Sequence, residues 1–218
     1  MITYTLVTAV LLISTGTAPD VRALTKLVEG RYRNAQTLRA TFLERYVEGG
    51  TVRIESGVVY FRRGGKMRWE YESPEAKLFV SDGRTVWFYV PADRTVVRTP
   101  VKESADWRMP FALLTREPKL SRICSQVDLA EPREAADAGR AVLRCTPKER
   151  DMREILIEVD AKSGDIGRVL VREAGGVEMD FRFANWERDV PAAESQFHFQ
   201  APVGVAIVDG ATNETNAK

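Results

Sequence analysis

The stretch that decides the fold class is KMRWEYESP, residues 66–74, in which two kinds of side chain alternate strictly. Met67, Trp69 and Tyr71 fall on one side of an extended chain, and the charged residues between them fall on the other. A period of two residues is typical of a β-strand with one buried and one solvated face. This segment is therefore predicted to be a strand whose large apolar side chains face the interior.

The same period recurs along most of the chain, with turn residues such as Gly49-Gly50, Gly64-Gly65 and Asp82-Gly83 between the segments. Short alternating segments separated by turn residues favour an antiparallel meander. About eleven strands are predicted, the others at 37–46, 51–63, 76–82, 84–91, 94–101, 124–131, 139–146, 153–161, 166–173 and 176–188.

Two regions depart from this period. Apolar residues at helical spacing, with Asp20 as a cap, predict an amphipathic helix over about 20–34. The segment 103–120 has clumped apolar residues and two prolines, and is predicted to form one or two short helices or turns across the sheet. The expected fold is mainly β, in the α+β class. It has one curved antiparallel sheet, with two or three helical segments over one face, in a single domain over residues 19–210.

Composition excludes several classes of protein. The 218 residues are 44% hydrophobic and 29% charged, which is typical of a globular chain and not of a disordered one. With 32 basic and 31 acidic residues, the net charge is +1. Nucleic-acid binders usually carry a strong basic excess, and membrane-surface binders carry basic clusters, so neither partner is expected.

The first 18 residues carry no charge, and they end in small residues at Gly16 and Ala18. This pattern predicts a signal peptide over residues 1–18 that is cleaved after Ala18, and hence an exported protein. An uncleaved N-terminal strand or helix is the alternative. The polar residues 211–218 are expected to be a disordered tail.

The two cysteines, Cys124 and Cys145, allow one disulfide in an exported protein, or two buried free thiols. A disulfide closing a loop of this length would stabilise the fold by about 3 kcal/mol. One histidine and two cysteines are too few for a typical structural zinc site, so neither a metal nor another cofactor is expected.

No nucleophile elbow or glycine-rich phosphate loop is found, and no enzymatic activity is predicted. The single histidine, His198, lies between aromatic residues in SQFHFQAP and is expected to be exposed or satisfied. A hydrolase is the rival hypothesis, and it would have to use His198 and Ser81.

A strongly curved sheet can leave an apolar volume between the sheet and its helical cover. An ordinary packed core is the alternative that periodicity alone favours. The residues expected to line such a cavity are Phe42, Met67, Trp69, Tyr71, Phe111, Leu114 and the 177–183 set, which includes Met179 and Phe181.

Three motifs resemble one known family. RRGGKMRWEYESPEAKLFVSDGRTVWFYVP (62–91) is similar to the central signature of the periplasmic outer-membrane lipoprotein carriers, the LolA family. MPFALL (109–114) resembles the family's Pro-Phe helix, and FHFQAPVGVAIVD (197–209) resembles its C-terminal ending. The resemblance runs from about residue 20 to residue 209.

The resemblance implies a half-open antiparallel barrel with a helical lid. Its apolar cavity would take up lipoprotein acyl chains and shuttle them, as a monomer, from the inner to the outer membrane. The implied partners are acylated lipoproteins, an inner-membrane ABC-type lipoprotein-releasing complex and an outer-membrane lipoprotein acceptor. The resemblance also implies that Arg63 latches the lid, although Gly64 stands where the family has proline. The alternative is a periplasmic lipid-binding or regulatory sensor module of the same fold, which usually carries a second domain.

Overall fold

The computed structural model describes residues 20–104, 111, 114, 117–131, 134, 135, 137 and 140–210. These residues form one helix, α1 (Val21–Arg33), several short 3₁₀ turns and one open, curved sheet of twelve strands. The strands are β1 (Thr37–Glu48), β2 (Thr51–Arg62), β3 (Lys66–Ser73), β4 (Lys77–Ser81), β5 (Thr85–Val90), β6 (Thr95–Pro100), β7 (Cys124–Leu129), β8 (Ala141–Pro147), β9 (Met152–Val159), β10 (Ile166–Glu173), β11 (Glu178–Arg188) and β12 (Ala206–Asp209).

The order of the strands in the sheet is β12-β6-β5-β4-β3-β2-β1-β11-β10-β9-β8-β7. Neighbours from β1 to β6 and from β7 to β11 are also neighbours along the chain, as a meander requires. The pairing of β1 with β11 joins the two halves, with Phe42 opposite Phe183. The eleven predicted strands are confirmed, each boundary within two residues, and the mainly β class with a helix over one face is confirmed with them.

The expectation of a wholly antiparallel sheet of about eleven strands needs one correction. The twelfth strand, β12, pairs with β6 in parallel, with Ile207 opposite Val96. The guanidinium of Arg98 fixes it by donating two hydrogen bonds, of 2.9 and 2.7 Å, to Asp209. All four residues of β12 are exposed, so the strand has no inward face and no alternation that sequence reasoning could detect.

The main core lies on the inner face of the sheet, beneath α1. Asp20 caps this helix by accepting a hydrogen bond of 3.1 Å from the backbone N–H of Arg22. Its buried stripe is Leu24, Val28 and Tyr32, spaced by four residues, and it packs against the inward side chains of the strands. The strict alternation of β3, with Met67, Trp69 and Tyr71 buried, supplies the centre of that core.

Part of the outer face is covered on each half of the sheet. On the first half lies the segment before β12, in which Phe197 is fully buried and the Phe199 ring lies 5.4 Å from that of Tyr89. On the second half, Ala130 and Ala135 pack over a small apolar cluster of β8–β10, formed by Val142, Leu156 and Leu170.

Cys124 and Cys145 form a disulfide with their Cα atoms 5.3 Å apart, which ties the edge strand β7 to β8. None of the described helices is long and apolar enough to cross a membrane. The predicted signal peptide 1–18, the tail 211–218 and most of the segment 103–120 lie outside the described residues.

Candidate functional site

The centre of the inner face is a cluster of aromatic rings around Trp69. Its ring lies 5.0 Å from Phe42, 5.8 Å from Phe181 and 5.4 Å from Phe111, centroid to centroid. Most of these contacts are edge-to-face, an arrangement that aromatic rings favour. Each of these side chains is less than a tenth exposed. The interior therefore presents an apolar surface contributed by strands from both halves of the sheet and by a residue from the segment that covers it.

Gly57 on β2 makes this arrangement possible. It lies opposite Phe42 on one side and Tyr71 on the other, and those two rings meet at 4.9 Å. A Cβ atom at Gly57 would lie 1.9 Å from the backbone oxygen of Glu70, so no other residue fits this backbone. The register also shifts here, between Ser56 and Gly57.

The structure brings the eight predicted cavity residues together in one buried cluster. Of these, Met67, Trp69, Met179 and Phe181 are fully buried, and Phe111 and Leu114 are 7% and 9% exposed. In this closed arrangement the described rings pack against one another, and their role as the lining of a cavity stays a prediction.

Two further aromatic residues belong to this cluster. The Phe61 ring lies 5.9 Å from that of Trp69, and its place in the alternation of β2 could have identified it. Trp186 packs 5.4 Å from Phe183, although it is out of phase with the inward residues of β11. Asn185 has a positive φ of 54°, which interrupts the alternation before Trp186, and no sequence signal predicted this.

Polar contacts hold α1 over the cluster. The phenol oxygen of Tyr32 accepts a hydrogen bond of 2.8 Å from the Ile166 N–H, and Trp186 Nε1 donates one of 2.7 Å to the Ile166 carbonyl. Arg31 forms a salt bridge of 2.5 Å with Asp165. Burial raises the pKa of Tyr32 well above its usual range, so its phenol stays neutral.

Arg63, the predicted latch, directly follows β2. Its side chain is exposed, and Nη2 donates a hydrogen bond of 2.7 Å to the carbonyl of Arg33, the last residue of α1. The backbone N–H of Arg63 donates to the Gln36 carbonyl at 3.0 Å. Carbonyls in the last turn of a helix lack helical partners and carry partial negative charge, so a guanidinium is favoured there. The next residue, Gly64, has φ of 91°, a conformation that proline cannot adopt.

Toward the β1–β2 turn, the inner face becomes polar. Tyr71 donates a hydrogen bond of 2.8 Å to the buried carboxylate of Glu44. The partly buried Lys77 pairs with Glu55, which lies opposite Glu44 in the register of β1 and β2. One end of the inner face is thus closed by α1 and Arg63, and the other end carries charged groups.

The residues of the rival hydrolase hypothesis are not joined by any described contact. The ring of His198 is half-exposed, with Nδ1 3.9 Å from Asp82 and Nε2 3.8 Å from Glu194. Ser81 is fully buried, and its hydroxyl accepts a hydrogen bond from the Gly83 N–H at 3.2 Å. Among the described contacts, the histidine thus has acidic neighbours and the serine has a turn N–H, which is not a nucleophile–base pair.

One open, curved sheet thus folds around an aromatic interior beneath an amphipathic helix, an architecture suited to a binding protein with an apolar inner face. The family described as "Outer membrane lipoprotein carrier protein LolA" matches residues 33–200. The chain belongs to that family.

Curated relatives extend this match over most of the chain. An outer-membrane lipoprotein carrier protein of Photobacterium profundum is 31% identical over 163 residues, covering 73% of this chain and 76% of the relative. One of Sodalis glossinidius is 25% identical over 206 residues, covering 94% and 97%. The crystal structure of an uncharacterized conserved protein from Thermus thermophilus shares the fold at a TM-score of 0.56, with 14% identity and coverage of 87% and 98%.

Proposed function

We propose that this protein is a periplasmic carrier that takes up the acyl chains of lipoproteins on its inner face and shuttles them from the inner to the outer membrane. The proposal is supported by membership of the LolA family and by relatives named outer-membrane lipoprotein carrier proteins. The observation that carries it is the aromatic cluster around Trp69, which lies beneath a helix held by polar contacts.

Such an interior suits acyl chains because it can be uncovered. Apart from its apolar stripe, α1 is held by the salt bridge of Arg31 and by hydrogen bonds that involve Tyr32 and Arg63. A single hydrogen bond contributes only about 1 kcal/mol net, since water replaces it when it breaks. When acyl chains enter, the contacts between aromatic side chains would be replaced by contacts between these side chains and lipid. Little buried apolar area would be lost. The cover can therefore separate from the sheet without the sheet unfolding.

The free energy of membrane attachment indicates which partners the carrier needs. Three acyl chains with about 45 methylenes represent on the order of 35 kcal/mol of membrane attachment, at roughly 0.8 kcal/mol for each buried methylene. Non-covalent binding saturates near about 18–21 kcal/mol, so a small carrier does not extract such a lipid unaided. We therefore assign extraction to an ATP-driven inner-membrane lipoprotein-releasing complex, and delivery to an outer-membrane acceptor that binds the chains more tightly than the carrier.

In this scheme Arg63 is the latch of the empty carrier. It links the end of β2 to the last carbonyl of α1, so the link breaks when α1 moves away from the inner face. The guanidinium of Arg63 has five N–H donors, so it can form new hydrogen bonds after it releases the Arg33 carbonyl. The carrier then acts as a monomer that alternates between a closed, empty form and an open, loaded form.

The experiment is to express the protein with its leader in a bacterial envelope, purify it from the periplasmic fraction, and identify bound lipoproteins by mass spectrometry. The wild type is expected to carry triacylated lipoproteins. Trp69→Glu is expected to carry none, because it places a charge at the centre of the apolar surface. Val203→Glu, at a fully exposed position, is the control and should retain the cargo.

Circular dichroism of both variants separates loss of binding from loss of folding. Because Trp69 is fully buried, Phe111→Asp, on the covering segment, provides a second variant with less disturbance of the sheet. A folded wild-type protein that never carries an acylated ligand would contradict the proposal.

A further inference from the structure

The β1–β2 hairpin extends past the rest of the sheet on one side. β2 pairs with β1 along its whole length, from Thr51 to Arg62. Its pairing with β3 covers only Ser56–Arg62, because β3 ends at Ser73. Among the residues that the structure describes, none forms a strand beside residues 51–55 of β2 on that side. This leaves an open backbone edge five residues long, or about 17 Å at the rise of a strand.

The side chains of this edge are unusual for a surface. On the outer face, Val52 and Ile54 are 48% and 57% exposed, and Leu43 beside them on β1 is 42% exposed. Natural proteins usually blunt an open edge with lysine, proline or a covering segment, since unpaired N–H and C=O groups recruit other strands. An exposed sheet edge is the arrangement by which many proteins bind an extended peptide as an added strand. Here only the outer-facing residues of the edge are apolar, since Arg53 and Glu55 face the other side.

The position of the edge indicates what would occupy it. The inner face of the same hairpin carries the polar groups Glu44 and Glu55, with Tyr71 and Lys77 as their partners. This is where the aromatic interior ends and charged groups begin. An acyl chain bound in the interior would have its polar linkage at this end, because the opposite end is closed by α1 and Arg63. The peptide attached to that linkage would emerge next to residues 51–55.

We propose that residues 51–55 of β2 bind the unfolded polypeptide that directly follows the acylated residue of the cargo, as an additional β-strand. Backbone hydrogen bonds supply affinity without regard to sequence, and Val52 and Ile54 contact alternate side chains on the outer face. This inference rests on the proposed carrier function and extends it, since it assigns a second binding element that recognises the protein part of a lipoprotein.

The test compares two synthetic probes that differ only in the peptide. One is a tripalmitoylated cysteine amide, and the other is the same lipid followed by a twelve-residue unstructured peptide. Both compete for the wild-type protein with a fluorescent alkyl probe. The peptide-bearing lipid is expected to bind roughly tenfold more tightly than the cysteine amide, in line with a few added strand hydrogen bonds.

A matched pair of double variants locates the effect. Val52→Lys with Ile54→Lys is expected to abolish the tenfold preference and leave the affinity for the cysteine amide unchanged. Ile207→Lys with Val208→Lys places the same charges on the exposed strand β12, where these residues are 54% and 47% exposed, and should keep the preference. Hydrogen exchange on the wild type needs no variant, and the peptide-bearing probe alone should protect those amides of residues 51–55 that point away from β1.

The outcomes are distinct. A wild type that binds both probes equally, or whose outward amides in residues 51–55 gain no protection, overturns the added strand and leaves the carrier function intact. A wild type that binds neither probe overturns both. A lipid-free dimer in sedimentation experiments that the Val52/Ile54 variant dissociates would assign the edge to a second copy of this chain, and would also overturn the inference.

Discussion

Arg63 Nη2 lies 2.7 Å from the carbonyl oxygen of Arg33, so the turn after β2 is hydrogen-bonded to the last residue of α1. These residues are thirty positions apart in the chain, and the bond joins the sheet to its helical cover. The backbone N–H of Arg63 also donates to the carbonyl of Gln36, which lies between α1 and β1, and this bond does not depend on the side chain.

Arg63→Ala should therefore loosen the cover without unfolding the sheet. Loss of this exposed hydrogen bond lowers the cost of opening by about 1 kcal/mol, which corresponds to a roughly fivefold rise in affinity for an alkyl probe. Hydrogen exchange in the last turn of α1 should become faster by a similar factor. Arg84→Ala, at an exposed arginine in a neighbouring turn, is the control, and an equal effect of both variants would argue against a latch.

Gly57→Ala should destabilise the protein by on the order of 2 kcal/mol, the range for forcing atoms into a packed site. The added Cβ would lie 1.9 Å from the backbone oxygen of Glu70, so β2 and β3 would have to separate. Urea unfolding measures the change in the free energy of unfolding. Gly30→Ala is the matched control in the exposed face of α1, where nothing lies within 4 Å, and it should stabilise by about 1 kcal/mol. A neutral Gly57→Ala would contradict the close approach of the two strands.

Replacing Cys124 and Cys145 together by serine should lower the free energy of unfolding by about 3 kcal/mol. The disulfide spans 21 residues and holds the edge strand β7, which has only one strand neighbour in the described sheet. Hydrogen exchange should show the largest loss of protection in β7 and β8. Treatment of the wild type with a reductant should reproduce the change, whereas unchanged stability in both experiments would exclude a structural role of this bond.

Tyr32→Phe should cost about 2 kcal/mol, because it leaves the buried Ile166 N–H without its acceptor. Thermal unfolding of the variant provides the measurement. Tyr60→Phe is the control, since the Tyr60 hydroxyl accepts only a long hydrogen bond of 3.4 Å from Arg39. Equal losses of stability in the two variants would show that the hydrogen bond between Tyr32 and Ile166 does not contribute more than the long bond of Tyr60.

The same residue predicts a pH dependence in alkali. Burial is the main reason that the pKa of Tyr32 in the folded protein is raised above its usual value. The folded state therefore favours the neutral phenol, and this contribution is fully present below the usual tyrosine pKa of about 10 and is lost as the pH rises above it. The free energy of unfolding should fall with pH in this range for the wild type. A Tyr32→Phe protein should show a smaller slope, and an identical slope would contradict the assignment.

An acid dependence is expected at Glu194, which lies just before the buried Phe197. The hydrogen bond from Lys66, with a further contribution from Arg62, holds the pKa of this exposed carboxyl below its ordinary value. Its ion pairs are present above the ordinary pKa and are lost as the pH falls through the lowered one. The protection of the backbone amides of residues 194–197, measured relative to their intrinsic exchange rate at each pH, should therefore fall in acid for the wild type. Glu194→Gln should already have lower protection at neutral pH, and its protection should depend less on pH. Parallel protection profiles for the two proteins would count against a role of the Glu194 ion pairs.

Local patterns in the sequence were enough to predict the strands and their inner and outer faces. Alternation in KMRWEYESP predicts that Trp69 is buried and that Glu70 is not, because successive side chains of a strand point to opposite faces whatever the rest of the chain does. The helix over 20–34 followed in the same way from a local period and a capping residue. These signals are local, so they need no knowledge of the tertiary structure.

Contacts between distant elements could not be predicted from these local patterns. The parallel pairing of β12 with β6, the inward turn of Trp186 and the contact of Tyr32 with Ile166 join residues that are far apart in the chain. The unpaired edge of β2 arises because β3 is shorter than β2. The register of the two strands shows which residues of β2 are left without a partner in β3. Such relationships depend on the register and curvature of the whole sheet, which no single segment specifies.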